Sequence, residues 1–501
     1  MKNLLDYTPI ARLALKRLTD ASLRAAANPE ATQRSVLRRL LSAGENTAFG
    51  RSHGFSADMT YEAYTAALRP SAYEDFRPLV MRMVQGEKDV LWPGRCTSFA
   101  QSSGTSDGKS KYIPITPRSL KENHYAGAAR SVGLYLRQYA RSHVMAGKGF
   151  ILGGSFANEL SLPKGVKVGD LSATLINNVS PLVEVMRVPK KKIALMADWT
   201  VKLPALVEAS LKQNITSISG VPSWFLTVLK QVIDRAGAST IHDVWPGLEV
   251  FFHGGIAFGP YRKEYEAITR PDMRYWENYN ASEGFFACSV SADSHAMLLL
   301  ADIDVFYEFQ DLASGCIVPM WQVENGKTYS LIITSSNGLW RYMPGDTVRI
   351  ESVCPYVTLT IAGRTKSFIN AFGEEVMVHN TDAALEKACR VAGCSIANYT
   401  AAPLYTCGNT QGCHQWLIEW TAPPADIEAF AALLDEALQA ENSDYQAKRS
   451  GNIFLRRLQI TIAPQGLFDK WLAATGKLGG QRKVPRLCND RKIIDQMLAL
   501  I

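Results

Sequence analysis

Between residues 150 and 269 short apolar runs of strand length alternate with longer stretches of helical periodicity, and this alternation constrains the fold more than any other feature of the chain. Residues 150–152, 217–220 and 250–253 read as strands, and 203–213, 224–235 and 261–269 as helices. A strand lying parallel to its predecessor needs a crossover long enough to return along the sheet, which a helix supplies. The region therefore predicts an α/β fold whose largely parallel sheet is covered by helices.

Before it, apolar residues at helical spacing predict two opening helices over 11–43, a short one over 61–68 and another over 120–139. After it, residues 303–361 change to short runs of Val, Ile, Thr and Tyr separated by Gly, Pro and Asn, the pattern of an antiparallel meander or small barrel. From 381 the chain reads as helix 381–392, strand 415–420, helix 426–440, strand 453–462 and helices near 468–474 and 491–500, a compact α+β module. A chain of 501 residues exceeds what one core usually organises. The polar crossing at 363–368 divides it into a large domain, 1–364, and a smaller one, 365–501.

Composition excludes several function classes. The net charge of +7 is thinly spread, and the one compact basic run, Lys190-Lys191-Lys192, lacks the interleaved aromatics of a single-strand nucleic-acid platform and reads as a solvated loop. The nine cysteines make an odd count without C-x-x-C spacing, so neither a disulfide framework nor a zinc ribbon is indicated, and reduced cytoplasmic thiols are expected. Cys407, Cys413 and His414 lack zinc-ligand spacing. Asp6, Arg12, Lys16 and Arg17 interrupt the first apolar residues, as in the run-in to an amphipathic helix, and no apolar stretch approaches the ~20 residues of a spanning helix.

The most informative segment is Gln101-Ser102-Ser103-Gly104-Thr105-Ser106-Asp107-Gly108-Lys109-Ser110-Lys111. Glycines admit close backbone approach to phosphate oxygens, hydroxyls donate hydrogen bonds and lysines compensate charge, so the loop suits a polyphosphate. It lacks the G-x-x-x-x-G-K-[ST] spacing of a Walker loop. By composition alone it reads equally as a flexible polar surface loop.

The order of these residues resembles the phosphate loop of the adenylate-forming superfamily of acyl-CoA synthetases, peptide-synthetase adenylation domains and luciferases. Asn278-Tyr279-Asn280-Ala281-Ser282-Glu283-Gly284 and Arg341-Tyr342-Met343-Pro344-Gly345-Asp346 resemble that superfamily's second and third segments, in the right order. A closer resemblance, over nearly the whole chain, is to the auxin-responsive acyl acid amido synthetases known as the Gretchen Hagen three family. It is carried by the segments 46–55, 86–94 and 338–346, by Asn442-Ser443-Asp444-Tyr445, and by Gly479-Gly480-Gln481-Arg482-Lys483-Val484-Pro485-Arg486. Ser106, Asn280-Ala281 and Met343-Pro344 depart from the residues commoner in plant members.

The resemblance implies a large adenylate-forming domain of mixed sheets, flanking helices and a small β-barrel, plus a mobile α+β domain. It implies ATP as co-substrate with Mg²⁺. Ser102, Ser103, Gly104, Thr105, Ser106 and Lys111 would hold the β- and γ-phosphates, Glu283 beside Ser282 the Mg²⁺, and Asp346 both ribose hydroxyls. Gly254-Gly255 and Tyr279 would cradle adenine, although Gly254-Gly255 also reads as a plain turn. Lys483 would bring a cation to the α-phosphate, although it also reads as part of a solvated basic tail; Arg364 would stand at the domain boundary and Lys366 at its pivot. The helix over 120–139 and Val221-Pro222-Ser223-Trp224-Phe225 would line the acyl pocket, where Trp224 and Phe225 read more readily as core. The partners implied are a small carboxylic acid and an amine, an amino acid above all, with no nucleic acid, no membrane and a monomeric chain. Two alternatives share the first half of this reading: a thioester-forming acid:CoA ligase, and a non-catalytic nucleotide-binding scaffold.

Overall fold

The computed structural model describes residues 6–102, 111–156, 158, 160–256, 258–312, 314–364, 368–405, 411–474 and 484–501. Strands Arg187–Val188, Lys148–Ile151, Ile215–Gly220, Val250–His253 and Arg274–Ala281 lie side by side, all parallel. Helices Trp199–Leu211, Pro222–Ala236 and Arg262–Ile268 separate them along the chain, as the alternation predicts. Their apolar residues, among them Leu206, Phe225 and Tyr265, pack with Phe150, Ile218 and Phe251 of the strands.

At Arg274–Ala281 the sheet changes character. The two residues Ser282 and Glu283 turn the chain back into Gly284–Ser289, which pairs antiparallel with the preceding strand. From there the sheet continues through Met297–Leu299, Thr358–Arg364, Asp346–Ser352, Thr328–Ser335, Val305–Asp311 and Ile317–Pro319, every neighbouring pair antiparallel. The antiparallel region expected over 303–361 is thus one half of a continuous thirteen-stranded sheet. A separate three-stranded sheet, with Ser98–Ser102 between Lys111–Pro114 and Lys167–Gly169, carries both ends of the glycine-containing loop.

The C-terminal unit packs helices Val378–Ala392 and Ile427–Glu441 with the strands Ser395–Tyr405, Gly412–Ala422 and Gln459–Ala463. It shares an apolar cluster with the parallel half of the large sheet. Tyr261 Oη donates to the Ala371 carbonyl at 2.6 Å, Trp224 Nε1 to the Phe372 carbonyl at 3.3 Å, and the Trp199 ring meets Phe454 edge-on at 4.8 Å.

Two local expectations need correction, and one strand was not anticipated. The strand expected over 453–462 begins only at Gln459: Ile453 keeps helical backbone after the 3₁₀ turn Ser450–Asn452, and Leu455 makes only an isolated bridge to Gly412. Ser395–Tyr405 is a strand that its Ala-rich sequence conceals; it lies at one end of the sheet order, where Pro403 is tolerated. Lys191 and Lys192 open the short helix Lys191–Ala194, and Lys191 Nζ donates to the Asn177 carbonyl at 3.0 Å.

Candidate active site

The hairpin of Ser98–Ser102 and Lys111–Pro114 closes on the pair Ser102↔Lys111, so the backbone of Ser102 and the whole of Lys111 stand at the mouth of the loop. Ser103, Gly104, Thr105 and Ser106 lie outside the described residues. Tyr73 pins the returning strand, its hydroxyl accepting from Tyr112 N at 2.7 Å and donating to the Tyr112 carbonyl at 3.3 Å. Lys111 Nζ then donates to the hydroxyl of Tyr342 at 3.4 Å.

Tyr342 links this lysine to Glu283, donating to Oε1 at 3.2 Å. Burial first, and then the Glu283 carboxylate, raise the phenol well above its ordinary value, so Tyr342 keeps its proton. Glu283 is itself held by its backbone. Asn337 Nδ2 donates to its carbonyl at 2.9 Å, and Asn123 caps the following strand by accepting from Phe285 N at 2.7 Å and donating to the Phe285 carbonyl at 3.0 Å. Asn123 stands on the π-helical segment Ser119–Tyr125, a rare geometry that recurs at functional sites.

A second link runs beside the first. Tyr279 Oη donates to Asp346 Oδ2 at 2.6 Å, both residues being buried. The Tyr279 ring lies edge-on against Phe286 at 5.0 Å. Asp346 opens its strand directly after Gly345, whose φ of +94° favours glycine, and it pairs across the ladder with Arg364. Nothing is described of the Arg364 side chain, and Lys366 and Lys483 fall outside the described residues.

Gly254 and Gly255 follow Val250–His253 at its carboxyl end. A Cβ on Gly254 would lie 2.2 Å from the Asn278 carbonyl oxygen, so close strand packing demands that glycine, and the φ of +86° at Gly255 favours the second. Phe225 is core, packed against Phe150 and Phe251, while half-buried Trp224 lies 3.8 Å under the Lys448 ammonium.

Sequence reasoning missed two histidines. His253 is buried, stacked on Phe258 at 4.4 Å, and its Nδ1 has no partner among the described residues. Burial, reinforced by Arg262 and His295, pushes it down to about 3, so it is neutral. Glu277 faces it across the ladder, and burial raises that carboxyl. The other is His124 on the π-helical segment, its Nδ1 3.2 Å from Asn280 Oδ1, pushed by burial down to about 4. A histidine ending an apolar strand immediately before Gly-Gly was the available signal for His253; for His124 the sequence held none.

Lys111, Tyr342, Glu283, Tyr279 and Asp346 therefore meet where the sheet reverses, although they come from three distant segments. No group of three or more His, Cys, Asp or Glu side chains suited to a metal occurs among the described residues. No described helix is long and apolar enough to cross a membrane.

Comparison with known proteins gives matches along the chain. Residues 20–181 match the GH3 family N-terminal domain, 298–364 the GH3 family central domain and 379–492 the GH3 family C-terminal domain. The indole-3-acetic acid-amido synthetase GH3.4 of Arabidopsis thaliana is 21% identical over 541 residues, covering 92% of this chain and 89% of the relative. A probable indole-3-acetic acid-amido synthetase, GH3.2 of Oryza sativa subsp. japonica, is 22% identical over 558 residues, covering 93% and 89%. Among solved structures, the AtGH3.15 acyl acid amido synthetase in complex with 2,4-DB superposes with a TM-score of 0.64 at 17% identity, covering 97% of this chain and 96% of that one. The 2-hydroxyisobutyryl-CoA ligase bound to 2-HIB-AMP and CoA gives 0.54 at 15% identity, covering 95% and 93%. These two structures share the fold of the chain.

Proposed function

The chain belongs to the GH3 family, and from that premise we propose that it is an ATP-dependent acyl acid amido synthetase, joining a carboxylic acid to an amine through an acyl-adenylate. The acid attacks the α-phosphorus of ATP, releasing pyrophosphate; the amine then attacks the acyl carbon, releasing AMP and the amide. Both reactants of the first step are anions, so catalysis depends on charge compensation and alignment.

The observation that carries the reading is the convergence of a lysine at the mouth of a hydroxyl-rich loop, a glutamate on the reversal turn and an aspartate on the third strand beyond it. Lys111, with Ser102, Ser103, Gly104, Thr105 and Ser106, serves the phosphates. Asp346, oriented by Tyr279, accepts the ribose hydroxyls, and the turn at Gly254-Gly255 receives the base. Glu283 suits Mg²⁺, which is commonly bound through one or two carboxylates plus substrate phosphates, and a carboxylate on a fixed turn fits that habit. When bound, the ion would screen the phosphate charge. Lys483 approaches from the smaller domain, 365–501, which turns on the large domain, 1–364, near Arg364 and Lys366. The acceptor is an amino acid, and the chain works as a cytoplasmic monomer.

The test is to supply ATP, Mg²⁺ and a panel of acids, then add amino acids or CoA and identify products by mass spectrometry. Amide and AMP are expected with amino acids. Products formed with CoA alone would move the chain to the thioester class.

A further inference from the structure

The cysteines carry no recognisable spacing in the sequence, yet the fold brings two of them together. Helix Val378–Ala392 ends at Gly393, whose φ of +64° turns the chain into left-handed backbone. Gly393 N and Cys394 N both donate to the Cys389 carbonyl, the latter at 3.1 Å. The bond from Cys394 is the six-to-one closure of a Schellman turn, in which the residue after the glycine commonly touches the residue that accepts its hydrogen bond. Here both are cysteines. Their α-carbons are linked through a single hydrogen bond, inside the ~7 Å over which a disulfide can close. Their thiols lie within hydrogen-bonding reach of each other. We propose that Cys389 and Cys394 form a redox-responsive dithiol, a modification site that closes to an intramolecular disulfide by exchange with a small disulfide such as oxidised glutathione.

Both are free, partly exposed thiols, open to a small reagent. Arg390, Val391, Gly393 and Ser395 beside them are exposed, while the two cysteine side chains rest on the apolar cluster of the C-terminal unit. Burial, and then Cys394, raise the Cys389 thiol above its ordinary value, so Cys389 holds its proton and donates it toward Cys394. Cys394 is therefore the sulfur that attacks first, and Cys389 the one that resolves. In the first step the Cys394 thiolate displaces one glutathione from its disulfide, and a mixed disulfide forms. In the second, the Cys389 sulfur attacks Cys394, and the other glutathione leaves with the Cys389 proton. Two protein thiols are oxidised to one disulfide while one glutathione disulfide is reduced to two glutathiones. The new bond fastens the last turn of the helix to the strand Ser395–Tyr405, which follows directly. Neither acid nor nucleotide takes part.

The test equilibrates the full chain in glutathione buffers of increasing disulfide fraction, at about 1 mM total glutathione. Free thiols are then alkylated and peptides are mapped by mass spectrometry without reduction. Tryptic cleavage after Arg390 separates the two cysteines, so the closed form appears as two joined peptides. Joining is expected at a disulfide fraction at least about tenfold below that at which the exposed single thiols Cys316 and Cys354 take up glutathione, because the second displacement is intramolecular. Dithiothreitol should restore both thiols, and Cys394→Ser should abolish the joined species. Glutathione retained on Cys394 without joining, joining only at the fraction that modifies Cys316 and Cys354, or joined peptides persisting in Cys394→Ser would each overturn the pair.

Discussion

Arg341 and Tyr342 are adjacent on one strand, yet they belong to polar clusters of opposite kinds. Arg341 is locked: its guanidinium makes two bonds to Glu308 and donates to the Leu68 carbonyl at 2.6 Å, while Tyr61 donates to the same glutamate at 3.0 Å. The cluster around Tyr342 is looser, with links of 3.4 and 3.2 Å and no direct contact between its opposite charges. Buried opposite charges that serve the fold are brought together and saturated with hydrogen bonds, since an unpaired buried charge is costly. A lysine and a glutamate that share one phenol are instead joined by hydrogen bonds through a group that both donates and accepts.

The contrast is open to direct attack. Its largest expected effect is on stability: Glu308→Ala leaves the Arg341 guanidinium uncompensated, and chemical denaturation should show a loss of about 3–5 kcal/mol. Glu283→Ala and Asp346→Ala should do the reverse, reducing pyrophosphate release on the order of 100-fold while unfolding within about 1 kcal/mol of the parent. A large stability loss in either would place it with Arg341. Tyr279→Phe is milder: it removes one charged hydrogen bond from Asp346 and should raise the KM for ATP about tenfold.

Acid sensitivity sharpens the comparison further. Burial holds His253 and His124 at about 3 and about 4, below the ordinary 6.5. The unfolded chain therefore takes up these protons first as pH falls, and stability is lost between about 6.5 and the folded values. Between pH 7 and 5 each histidine should account for about 2 kcal/mol of that loss, and His253→Gln or His124→Gln should flatten the slope measured by denaturant midpoint. The smallest effect is expected at the exposed lysines of the basic run, where Lys190→Ala and Lys192→Ala should change stability by less than about 0.5 kcal/mol.

What could be read in the sequence was what depends on local order. The alternation over 150–269 carries the parallel strands, because each crossover leaves its helical period in the chain. The three motifs keep their order, and two of them fall on turns: Ser282-Glu283 on the reversal of the sheet, and Gly345 immediately before the strand of Asp346. What could not be read depends on partners far apart. Lys111 meets Tyr342 across 231 positions, and Arg118 and Arg39 reach Asp304 from separate helical segments. Nothing in the local pattern distinguishes Tyr342, which bridges the site, from Tyr64, which bonds Thr334 in the core. Ser395–Tyr405 went unread for a different reason, since its small residues and Pro403 carry little strand preference and its pairing with Gly412–Ala422 supplies the rest.

The central claim is that this cleft joins an acid to AMP, and exchange of labelled pyrophosphate into ATP tests it most directly. With no amine present, exchange should depend on a suitable acid and on Mg²⁺, and should disappear in Glu283→Ala. Folded protein that hydrolyses ATP to ADP, with no acid in a broad panel supporting exchange, would contradict it.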